Sequence, residues 1–163
     1  MDEDTRNKVK AAIYDADIIK LRELAGYFTD EAAINQEKQE ILLAQITYCY
    51  NKIFSKIHLK DKAQELIQTT VKKIDEQKYE SILKDIQEFD ETHGLFHGGL
   101  VGKARIKIGS RLYSQGLSIG QAAELSDANV GDVQEYVGDT KYHEKMQGIS
   151  LEERLRIARD ILK

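Results

Sequence analysis

The sequence predicts an all-α chain, and three observations carry that prediction. There is no proline in 163 residues, where average usage of about 5% would give roughly eight. Lys, Glu, Ile, Leu, Gln and Ala dominate, and all but Ile rank high as helix formers. Apolar residues recur with helical period over almost the whole length. The same zero excludes proline-rich linkers and polyproline segments. A single cysteine, Cys49, excludes an internal disulfide and so a secreted disulfide scaffold. No run of 18 apolar residues occurs, so no membrane span is expected. The acidic start Met1-Asp2-Glu3-Asp4 lacks a signal core, and a cytoplasmic protein is the expectation. The Lys- and Ile-rich, proline-free composition suggests a microbial source, archaeal by compositional analogy.

The elements follow in order. Tyr14, Ile18, Leu21, Ala25 and Phe28 form one helical stripe. Thr29 or Asp30 is the expected cap of a second helix from about 31 to 58. It carries Leu42, Ile46, Cys49, Ile53 and Ile57, a stripe widened by Ile41, Leu43, Tyr48, Tyr50 and Phe54. So wide an apolar face belongs to a central helix. From 61 to 91 there are two stripes, Ala63-Ile67-Thr70-Ile74 and Tyr79-Ile82-Leu83-Ile86-Phe89, with a kink or turn at 75–78. Gly94, Gly98 and Gly99 mark a hinge or loop. These features divide the chain into a helical bundle at 1–93 and a second region at 94–163; with no linker composition between them, one continuous domain is the alternative.

In the second region a helix at 100–115 turns Val101, Ala104, Ile108 and Leu112 inward and ends at Gly116. Two short helices are expected at about 118–126 and 130–138, then a loop of about a dozen residues. Ser150 and Glu153 form a capping box for a last helix with Leu151, Leu155, Ala158 and Leu162 inward.

The segment Ile119 to Val137 carries the most specific pattern. Ala123 provides the small residue that a crossing helix needs, and Ala122 and Leu125 complete its buried side. Asp127, four positions on, is among the few residue types that tolerate the left-handed turn. Ala128 follows it, Asn129 caps the next helix, and Val133, Tyr136 and Val137 return to the core. Ser118 and Gln121 make a capping box at the start. Together with the helix at 100–115, this resembles the helix-turn-helix family, in the wording of prokaryotic regulators and antitoxin-like proteins. It departs from that pattern where Asp127 replaces the usual glycine and Ala128 a larger aliphatic residue. The resemblance implies a non-enzymatic DNA-binding regulator.

Charge opens a second reading. Segment 118–139 holds Glu124, Asp127, Asp132, Glu135 and Asp139 and no Lys or Arg. The preceding helix holds Lys103, Arg105, Lys107 and Arg111, with no acid between 92 and 123. Under the DNA reading those four cations hold phosphates and Gln134 reads a base edge. Under the alternative, Asp132 and Glu135 dock a basic protein partner or a second copy of the chain. No cofactor and no small-molecule substrate is expected. His93 and His97, beside Asp90 and Glu91, have metal-ligand spacing, but Gly94 interrupts their helix. Gly102-Lys103 lacks the first glycine of a phosphate loop, and no arginine stands four to six residues before a histidine as helical ribonucleases require. Cys49 lies on the buried stripe and is expected to be inert.

Overall fold

The computed structural model describes residues 1–94, 96–147 and 151–161, and their side chains except those of 140–147, 151–154 and 157. Every regular element among the described residues is a helix, and none is a strand. The elements are α1 (Glu3–Tyr14), α2 (Ile18–Asn35), α3 (Lys38–Phe54), a 3₁₀ turn (Ile57–Leu59), α4 (Gln64–Asp75), α5 (Tyr79–His93), α6 (Leu100–Ser114), α7 (Ile119–Ser126), α8 (Val130–Gln147) and α9 (Leu151–Ile161).

Helix α3 is the central element, packed against α2, α5 and α6. Its Leu43, Ala44, Ile46, Cys49, Tyr50 and Ile53 are fully buried, as the wide apolar face requires. Polar groups inside this core are satisfied. Tyr50 OH donates to Thr70 Oγ1 at 2.7 Å, and Asn51 Nδ2 donates to the Ile18 carbonyl at 2.8 Å. One buried cluster runs from Val9 to Ala122, so α6 and α7 share the core of the N-terminal helices.

Without proline, helices α1, α2, α4, α5, α6 and α7 stop at left-handed residues. Ala16, Gln77, Asp127 and Gly116 have φ of 51°, 56°, 56° and 109°. At each, paired backbone bonds close a Schellman motif, for example Ala128 N to the Ala123 carbonyl at 2.9 Å and Asp127 N to the Glu124 carbonyl at 3.2 Å. Gln36, at φ 55°, ends α2 with a single such bond.

Several expected boundaries move. The first stripe is two helices, because Ala16 breaks it, and Tyr14 is 73% exposed rather than inward. Neither Thr29 nor Asp30 caps a helix. Thr29 Oγ1 bonds back to the Ala25 carbonyl at 2.6 Å within α2, and the break falls at Gln36. Helix α3 ends at Phe54, which leaves Ile57 on the 3₁₀ turn at 92% exposure. The loop expected after 138 is instead a continuation of α8 to Gln147, since no proline or helix-ending glycine intervenes. In α9, Leu155 and Ala158 are exposed rather than inward: periodicity defines an apolar face without providing a neighbour to cover it. Ser150 and Leu162, and the side chains of Leu151 and Glu153, lie outside the described residues.

The expected turns at 75–78 and 94–99 are present. At the second, Gly94 caps α5 at φ 59°. Asp90, buried at 5% exposure, accepts the Leu100 amide at 2.8 Å on Oδ2 and so anchors the start of α6.

Candidate functional site

Helices α6, α7 and α8 form a three-helix unit. Helix α7 opens with the Ser118–Gln121 capping box, both of its hydrogen bonds being 3.2 Å. Asp127 makes the left-handed turn, and Asn129 Oδ1 accepts the Gly131 and Asp132 amides at 2.8 and 3.4 Å at the start of α8. Ala122, Ala123 and Val133 are fully buried against α6. The close approach depends on Gly109. A Cβ there would meet Ser126 Oγ at 2.6 Å and Val133 Cγ2 at 3.2 Å. Gln45 of α3 ties the unit to the bundle by donating to the Ser126 carbonyl at 2.8 Å.

The four cations of α6 do not act as one set. Lys103, Lys107 and Arg111 are spaced at i, i+4 and i+8 on one side, whereas Arg105 is about 200° round from Lys103. Lys103 is exposed. Lys107 Nζ donates to Tyr136 OH of α8 at 2.9 Å and sits 5.4 Å from that ring's centre. Arg111 is bound to α2: its Nε and Nη2 donate to Asp30 Oδ1 at 3.2 and 2.9 Å, and its guanidinium lies over Gly26. Gln115 Nε2 donates to the same oxygen. Arg105 turns toward α7, where Nη2 meets Asp127 Oδ2 at 3.2 Å.

Helix α8 is different. Asp132, Gln134, Glu135 and Asp139 are exposed, as is Val130 at 41%. Asp132 and Glu135 have no ion-pair partner among the described residues. By helical geometry Asp132, Glu135 and Asp139 occupy one stripe beside Tyr136, while Val130, Gly131, Gln134 and Gly138 form a neutral stripe.

A groove that no sequence pattern announced opens where the three-helix unit meets the bundle. Its volume is about 750 Å³, and α3, α5, α6 and α7 line it. Ile41, Leu42, Leu83, Val101 and Leu125 give it an apolar floor. Lys38, Lys84, Arg105, Glu80, Glu124 and Asp127 also line it. Lys38 pairs with Glu80; this hydrogen bond raises the lysine pKa and lowers that of the glutamate. The signal for such a groove is spread over four helices, and only the fold brings it together.

The other singled-out residues separate. His93 Nδ1 lies 2.8 Å from the Phe89 carbonyl, and His97 is exposed beyond the Gly94 cap. No group of three His, Cys, Asp or Glu stands together as a metal site among the described residues. Cys49 is fully buried, and burial pushes its thiol pKa well up. No described helix is long and apolar enough to cross a membrane. No family model, curated protein or solved structure matches the chain.

Proposed function

We propose that the chain is a non-enzymatic regulatory protein whose helix-turn-helix unit serves as a protein-interaction module, the acidic first turns of α8 docking a basic surface on a partner. One observation carries this reading. Arg111 is tied to Asp30 of α2, Arg105 turns toward α7 and Lys107 donates to Tyr136, whereas Asp132 and Glu135 stand exposed where a recognition helix would meet its target. Phosphate binding needs cations at that face, and α8 offers carboxylates from 130 to 139. A basic protein segment satisfies the same charges.

The test is a titration with a fluorescent Lys/Arg-rich helical peptide. Asp132→Lys with Glu135→Lys should remove binding, while Glu65→Lys with Glu88→Lys, an equal change in net charge on exposed positions elsewhere, should keep it. Equal loss in both pairs would reduce the effect to net charge and sink the proposal.

A DNA-binding regulator is the second reading, favoured by exposed Lys103 and by Lys107 lying alongside Tyr136 of α8. Its test is Lys103→Glu with Lys107→Glu, the two α6 cations without a carboxylate partner among the described residues. Under this reading that pair lowers duplex affinity and flattens its salt dependence.

A further inference from the structure

The geometry points to a second binding site, independent of the function proposed above: we propose that the groove between bundle and three-helix unit binds a small monocarboxylate with an apolar body, its carboxylate held by Arg105. Two arginines of α6 make the case by contrast. Arg111 fills its Nε–Nη2 edge with Asp30, at 3.2 and 2.9 Å. Arg105 has the same edge half used. Its Nη2 meets Asp127 at 3.2 Å, and its Nε is buried with no acceptor. A buried donor without a partner is uncommon and costly.

Asp127 is 81% exposed, so its pair with Arg105 is weak and easily replaced. A ligand carboxylate in its place meets both donors of the fork, the geometry guanidinium prefers. Lys84, also lining the groove and without a described partner, adds a second cation. The body of the ligand then lies on the half-buried Leu42 and Leu125, above the nearly buried Ile41, Leu83 and Val101. A volume of about 750 Å³ is within the usual range for small-molecule sites.

Charge selects among oxyanions. Glu80, Glu124 and Asp127 balance the three cations, so a dianionic phosphate meets carboxylates that a single charge tolerates. An alcohol with the same body leaves Arg105 Nε unfilled.

The test is a methyl NMR titration of the full chain with octanoate, octyl phosphate and octanol. Octanoate should give saturable shifts at Leu42, Leu83, Val101 and Leu125, with tighter binding than the other two. Arg105→Gln should weaken octanoate by roughly tenfold or more, the scale of a charge-assisted hydrogen bond. Asp127→Asn keeps a residue that tolerates the left-handed turn and removes the competing carboxylate. It should tighten octanoate severalfold, a gain that misfolding does not imitate. Octanoate binding no better than octanol, or unchanged in either variant, overturns the proposal.

Discussion

Replacing Gly109 with alanine tests the packing of the three-helix unit at its tightest point. The added Cβ falls 2.6 Å from Ser126 Oγ and 3.2 Å from Val133 Cγ2. Neither neighbour moves freely. Ser126 is fully buried, its Oγ lies 3.3 Å from the Ala123 carbonyl, and its own carbonyl accepts from Gln45 at 2.8 Å. Overpacking of this kind costs about 1–3 kcal/mol. Alanine in a helix interior regains about 1 kcal/mol over glycine. The net expectation is a loss of about 1 kcal/mol. Gly102, exposed on the same helix with nothing within 4 Å of its built Cβ, is the control. Gly102→Ala should gain up to about 1 kcal/mol. The two variants therefore separate by about 2 kcal/mol, or roughly 4–8 °C in Tm for a chain of this length. Thermal unfolding by circular dichroism reads that gap. Ser126→Ala in the Gly109→Ala background should recover part of the loss. If Gly109→Ala stabilises as much as Gly102→Ala, the close approach of α6 to α7 and α8 is refuted.

Three further outcomes follow from single sites. Gln77 is exposed and left-handed at φ 56°, so Gln77→Gly should stabilise by about 0.5–1 kcal/mol in urea unfolding, the relief of left-handed strain less the flexibility glycine adds to the unfolded chain. Ser118→Ala should cost about 1 kcal/mol by the same assay through loss of the capping box. Burial raises the Cys49 thiol above its ordinary 9.0, so the folded chain keeps a proton that the unfolded chain releases. That contribution is complete below pH 9.0 and is lost as pH rises past it, at up to about 1.4 kcal/mol per pH unit. The stability difference between wild type and Cys49→Ala should therefore narrow from pH 8 to 10.5.

The sequence was most informative where one local cause decides the structure. The Ser118–Gln121 box, the Asp127 turn and the Asn129 cap are each set by a few adjacent residues, and all three stand as expected. The central role of α3 followed from the width of its apolar face. Boundaries failed where one residue type serves two ends. Thr29 is a good cap by type, yet it bonds back inside α2, and the helix runs on to Asn35. Ala16 and Gln77 carry no turn signature, yet both adopt the left-handed conformation that ends their helices. The basic helix misled in a different way. Four cations in nine residues look like one patch, but the 100° step per residue sends Arg105 away from the other three. Tertiary partners Asp30, Tyr136 and Asp127 then decide what each cation does, and none of these is a sequence neighbour.

The most direct measurement places wild type and the Asp132→Lys/Glu135→Lys variant side by side against two fluorescent probes, the Lys/Arg-rich peptide and a mixed-sequence DNA duplex, over a salt series. Protein docking through α8 predicts that wild type binds the peptide and not the duplex at low salt, and that the variant loses the peptide. Wild-type binding to the duplex with a steep salt slope, together with peptide affinity unchanged by the two reversals, would contradict it.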